Sequence, residues 1–149
     1  MFLVLSVRLE RTNKLTITKE QILEEARIYR SLSNDISDSW NKVLQWKHIS
    51  QAELSRRTGI TEKTITTTIK GQRIGTLENV VLLCLAINLP SEMSEHLIRI
   101  SGHTLVMSND EHAIYNYLLR NKNSESLSEI RQFLLEIGSE LYLKFPGKT

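Results

Sequence analysis

The sequence predicts a mainly α-helical chain. Five short helices form one small domain over residues 36–102, a short β-hairpin and a helix precede it in residues 1–35, and a helical hairpin follows in residues 103–149. Three observations lead there. Apolar residues recur through most of the chain at the spacing of a helix with one buried face. Cap residues and glycines interrupt those periodic stretches at short intervals. Positive charge gathers in one segment: residues 41–76 hold seven basic and two acidic side chains, residues 1–40 hold six of each, and residues 77–149 hold six basic and nine acidic.

At the start, Leu3, Leu5, Val7 and Leu9 alternate with Ser6 and Arg8. A Thr12-Asn13-Lys14 turn leads to Leu15-Thr16-Ile17, which predicts a hairpin. Thr18 with Gln21 is a capping-box pair. It opens a helix to about Leu32, with Ile22, Leu23, Ala26 and Tyr29 or Arg30 at helical spacing, and Ser33-Asn34-Asp35 closes it.

In the middle of the chain, residues 36–47 put Ile36, Trp40, Val43 and Leu44 on one stripe. Trp40 and Trp46 project from different faces of this helix, which predicts one in the core and the other at an interface. Ser50, with Glu53 at the capping-box position, caps residues 51–58, and Gly59 supplies the left-handed residue that ends a helix tightly. Thr61 caps residues 62–70, which stop at Gly71. Thr76 caps the strongly apolar residues 77–87, and Pro90-Ser91 opens another helix that ends at Gly102. Helices this short are not stable alone, so they must share one core. Beyond them, Ser108 with Glu111 and Ser126 with Glu129 are two further capping boxes, opening helices to about Arg120 and Ile137. Their apolar faces read as Ile114, Tyr117 and Leu118, and as Leu127, Ile130, Phe133, Leu134 and Ile137.

A chain of 149 residues can bury a hydrophobic core without staples. Its single cysteine, Cys84, lies in an apolar run and has no partner in the chain, which fits a reduced, cytoplasmic setting. Residues 1–8 lack the basic start and cleavage site of a secretory signal. No apolar stretch approaches the roughly 20 residues of a membrane span, so a soluble protein is expected. Enzyme chemistry finds little support. His48, His96, His103 and His112 lack the short repeated spacing of a metal site, Cys84 has no context that would lower its pKa, and there is no glycine-rich phosphate loop. Neither a catalytic site nor a metal or cofactor is expected.

The informative segment is Ser50-Gln51-Ala52-Glu53-Leu54-Ser55-Arg56-Arg57-Thr58-Gly59-Ile60-Thr61-Glu62-Lys63-Thr64-Ile65. It reads as a helix, a glycine-containing turn and a second helix, with Leu54, Ile60 and Ile65 placed to lock the pair at a steep angle and small Ser55 where the two approach. Such a unit projects the first turns of its second helix outward, and a helix fits the major groove of B-DNA.

Over about residues 44–101 the sequence resembles the Cro and phage-repressor (XRE-type) family of helix-turn-helix proteins. The resemblance rests on Gln51 opening the first helix of the pair, the Ala52-Glu53-Leu54 run, the Gly59-Ile60-Thr61 turn, Ile65, Gly71, and residues 77–89 followed by Pro90. It implies a prokaryotic or phage transcriptional regulator, expected to be a repressor, that binds double-stranded DNA with helix 62–70 in the major groove. By the same resemblance Gln51 holds a phosphate. Thr61, Glu62, Lys63, Thr66 and Thr67 face outward, with Glu62, Lys63 and Thr67 nearest the base edges, while Lys70, Arg73 and the helix start at Thr76 contact the backbone. Two departures stand out. An arginine–glutamate pair common in the family is replaced by Leu44 and Ile69, a swap that need not destabilise. Thr68 stands where a larger apolar residue is usual, which predicts looser packing beneath the recognition helix.

Reading two half-sites requires a homodimer, with its interface expected from the N-terminal arm or the C-terminal helices. The alternative is a protein-interaction module, such as an antitoxin that binds a toxin, or a regulator with a protease partner. The sequence leaves both open.

Overall fold

The structure, a computed structural model, describes residues 17–147. Apart from Ile17, the predicted hairpin lies outside the described residues. The chain divides into two compact units, residues 1–31 and residues 32–149.

In the first unit the described element is helix α1 (Lys19–Ser31). Its start is the predicted capping box: the Thr18 N–H donates to Gln21 Oε1 at 2.8 Å, and the Gln21 N–H donates to Thr18 Oγ1 at 3.1 Å. None of its residues is buried, and Ile22, Leu23 and Tyr29 are 50%, 54% and 41% exposed.

The second unit contains α2 (Ile36–Lys47), α3 (Gln51–Thr58), α4 (Glu62–Ile69), α5 (Leu77–Ile87), α6 (Ser91–Ile100), α7 (Asp110–Asn121), α8 (Leu127–Glu136) and a 3₁₀ turn, Glu140–Lys144. Among the described residues there are eight α-helices and no strand. The five-helix arrangement is centred on α5, which has no polar face: Val80 through Ile87 are all buried. A helix that is apolar all round has to be covered all round. Helices α3 and α6 cover part of α5, and α7 packs on it from the C-terminal region. Burial pushes the thiol of Cys84, in the middle of α5, up to about 12.

The end of α5 ties the two regions together. Asn88 adopts the left-handed conformation that closes the helix, at φ 58°. Its side-chain amide lies 2.9 Å from the Asn123 carbonyl and 3.0 Å from that of Glu125, while Asn123 Nδ2 donates to the Leu89 carbonyl at 2.9 Å. The connection between α7 and α8 is thereby held to the connection between α5 and α6. On the far side, His96 of α6 donates from Nε2 to the Ser33 carbonyl at 2.7 Å and fixes the entry to α2.

Four details differ from the sequence reading. Helix α6 ends at Ile100, and Ser101 and Gly102 form the turn after it. Helix α7 is capped by Asn109, whose side chain accepts from the His112 N–H at 3.2 Å, in place of the expected Ser108–Glu111 box. A cap one residue later leaves both Asp110 and Glu111 in the first turn, where the helix dipole favours them. The buried face of α7 is Tyr115, Leu118 and Leu119; Tyr117 is 47% exposed and stacks on Phe133 with ring centroids 5.7 Å apart. Helix α8 stops at Glu136, so Ile137 is exposed, and the 3₁₀ turn that follows buries Leu141, with Phe145 buried just beyond it. The predicted Ser126–Glu129 box is present in full.

Candidate nucleic-acid interface

Helices α3 and α4 are shaped by short-range hydrogen bonds that their own side chains supply. Ser50 Oγ accepts from the Glu53 N–H at 3.1 Å and starts α3. Thr58 Oγ1 donates to the Leu54 carbonyl at 2.7 Å and accepts from the Ile60 N–H at 3.1 Å, while Ser55 Oγ donates to the Ile60 carbonyl at 2.6 Å. Gly59, between them, sits at φ 78°, which a residue with a Cβ adopts only with strain. The angle of the pair is thus fixed by Ser55, Thr58 and Gly59 together, over a core of Leu54 and Ile65, both fully buried.

Four threonines of the second helix and its cap serve its backbone or its neighbour. Thr61 caps α4 by accepting from the Thr64 N–H at 3.3 Å, and its hydroxyl donates to Thr64 Oγ1 at 3.0 Å. Thr67 Oγ1 donates back to the Thr64 carbonyl at 3.0 Å. Thr66, expected to face outward, is half-buried and donates to Gln51 Oε1 across the helix pair at 2.6 Å. That contact joins two of the expected site residues. With its Oε1 accepting from Thr66, the Gln51 amide is left with its Nε2 donors.

Charge in this region is more selective than its sum. Lys42 pairs with Asp38 at 2.9 Å, and Lys47 lies over the Trp46 ring at 4.7 Å. Arg56 and Arg57 both bond Glu53, at 2.9 Å and 3.1 Å from their Nε atoms, and Arg57 also donates to the Ala86 carbonyl at 2.8 Å. The Arg56 bond, followed by that of Arg57, holds the Glu53 carboxyl below the ordinary glutamate range. Lys63, Lys70 and Arg73 make no ion pair among the described residues. Lys63, Thr64, Thr67, Gln72 and Arg73 line one shallow depression. Glu62 is exposed in the first turn of α4, and Lys70 is exposed at its C-terminal end.

The loop after α4 is pinned close to the core. A Cβ on Gly75 would stand 3.0 Å from Thr68 Cγ2 and 3.3 Å from Val80 Cγ2, so this backbone lies directly on buried Thr68. Where the sequence predicts looser packing beneath α4, the loop closes over the smaller side chain. His103 completes the clasp, donating from Nε2 to the Gly75 carbonyl at 2.6 Å. Immediately after it Thr76 caps α5, accepting from the Asn79 N–H at 3.1 Å. In place of the family's ion pair, Leu44 and Ile69 are both buried where α2 packs against α4. Neither Gln72 nor His103 is marked by the sequence pattern; each is brought to the site by the loop.

A helix, a tight turn and a second helix with its outer surface open are now in place, and residues 41–90 match the family model for the Cro/C1-type HTH DNA-binding domain. That segment is a Cro/C1-type domain. It supplies what a DNA-binding transcription regulator requires, and in this Cro/C1-type unit α4 is the second helix of the helix-turn-helix pair. No curated protein and no solved structure matches the chain significantly. Among the described residues no helix is long and apolar enough to cross a membrane.

Proposed function

We propose that the chain is a transcriptional repressor that reads duplex DNA sequence-specifically as a homodimer, through the domain of residues 36–102. The observation that carries this reading is the group formed by Lys63, Thr67 and Arg73 around one depression, with the cations left out of any ion pair among the described residues. Lys63 donates to guanine O6 or N7, Thr67 offers a hydroxyl or its methyl to a base, and Glu62 accepts from cytosine N4. Gln51, its carbonyl end engaged by Thr66, donates to a phosphate, which makes Thr66 a positioning residue. Lys70, Arg73 and the start of α5 at Thr76, with Thr61 at the start of α4, hold the backbone and set the register. The arm of residues 1–35 provides the dimer contact, a role that the exposed Ile22, Leu23 and Tyr29 of α1 support.

The test is fluorescence anisotropy with DNA from upstream of the protein's own gene, titrated with salt. Wild type binds selectively, while Lys63→Ala and Thr67→Ala lose selectivity, at about 1–3 kcal/mol for a bidentate base contact. Binding no tighter than the nonspecific level of roughly 10⁻⁴ to 10⁻⁶ M removes the DNA reading. A monomer by light scattering removes the dimer.

A second reading, a module that binds a toxin or protease, draws on exposed apolar side chains of the C-terminal region: Tyr117, Leu135, Ile137 and Leu143. Its sign is a stable complex that Leu143→Asp abolishes while DNA affinity stays unchanged.

A further inference from the structure

The 3₁₀ turn Glu140–Lys144 sends one cation onto the start of α5. Lys144 Nζ lies 3.3 Å from Glu78 Oε2 and 3.9 Å from Glu111 Oε2. Glu78 is the second residue of α5, immediately beside the end that the reading above assigns to a DNA phosphate. Thr76 satisfies the N–H of Asn79, and helix geometry leaves those of Leu77 and Glu78 without an intrahelical partner, pointing out of the helix end. Two carboxylates therefore flank a position where the helix dipole attracts an anion, and their charge opposes it. Their field is felt locally: the Tyr115 phenol is pushed up to about 12, first by burial and then by Glu78 and Glu111.

We propose that Lys144 is an electrostatic shield for this end of α5, neutralising Glu78 and part of the Glu111 field so that a phosphate can approach. The DNA affinity of the Cro/C1-type domain then depends on a residue more than fifty positions beyond its matched segment, which ends at residue 90. The inference rests on the DNA-binding reading, and it differs from a direct contact. Lys144 acts from the position that its ion pairs with Glu78 and Glu111 give it, so most of its value is lost when they are neutral and no longer hold it there. Exposure of about 40% on both partners keeps the effect modest and salt-sensitive.

The experiment uses the full chain and a fluorescent duplex of mixed sequence, since a phosphate effect needs no operator. Kd is measured between about 50 and 200 mM salt. Lys144→Gln weakens binding about three- to fivefold at the low end, the size expected of one charge at this distance in a high-dielectric setting, and the difference shrinks as salt rises. Glu78→Gln strengthens binding. In a Glu78→Gln, Glu111→Gln background the further change Lys144→Gln costs less than it does in the wild-type protein, because the side chain is no longer held at this helix end. A loss of full size in that background overturns the shield and makes Lys144 a direct phosphate ligand. A loss that tracks a fall in melting temperature overturns it in favour of simple destabilisation. Wild type binding with an unchanged Kd in Lys144→Gln overturns this inference alone, whereas wild type binding no duplex overturns the DNA reading with it.

Discussion

Helices α4 and α5 start in the same way and end up in opposite surroundings. Each is opened by a threonine whose hydroxyl accepts a backbone N–H three residues on, Thr61 for α4 and Thr76 for α5. In α4 the buried residues are Ile65, Thr68 and Ile69, on one side, and Glu62 and Lys63 face solvent. In α5 eight consecutive residues are buried. Cap chemistry sets where a helix begins, and side-chain period sets whether any surface remains to meet a ligand. Of the two, α4 keeps a polar side, whereas α5 gives up contact with water from Val80 to Ile87 and becomes the support.

The contrast predicts different costs of damage. Leu83→Ala, in the buried run of α5, is expected to lose about 2–5 kcal/mol of stability in urea unfolding, because a well-packed cavity relaxes little. A loss under half that range would mean that α5 is not the support described. Next in size is Asn88→Ala, which removes the bonds to Asn123 and Glu125 and puts a less tolerant residue at φ 58°. It is expected to cost about 1–3 kcal/mol. Hydrogen exchange should show the α7–α8 connection loosening first, and equal protection in both proteins would remove its role as a tie. The smallest effect on stability falls on α4. Thr66→Val keeps the shape and loses the donor to Gln51, so unfolding shifts by no more than about 1 kcal/mol. DNA affinity falls without any change in base preference, since Gln51 loses its orientation and not its place. A changed base preference would instead make Thr66 a reader.

Much of the Cro/C1-type domain was legible because its signals are local. Ser50, Gly59, Thr61, Gly71 and Thr76 each act within a few residues of where they stand, and all five mark the boundaries found in the structure. What local pattern could not supply was pairing at a distance. Thr66 meets Gln51 across 15 positions, and His103 meets the Gly75 carbonyl across 28, so neither contact has a sequence period. The charge sum could not say which cations are engaged, for a related reason: Glu53, one turn away, holds both Arg56 and Arg57. In α7 the face was misjudged because Tyr117 and Tyr115 are chemically alike. Packing on α5 selects Tyr115 and leaves Tyr117 to stack on Phe133. The 3₁₀ turn went unread because five residues are too few to show a period.

The eight-residue apolar run of α5 also bears on how such a chain can be divided. A gene fragment stopping at residue 102 would encode every residue that meets DNA in the proposed reading, yet would strip α7 from the flank of α5 and leave that flank wet. The reading surface could survive in outline while its product sought another greasy cover, in a second molecule or in an aggregate. Inheritance of this domain without its C-terminal helices would therefore demand polar replacements along α5, so the appendage and the run of leucines and valines beneath it are expected to be gained or lost as one.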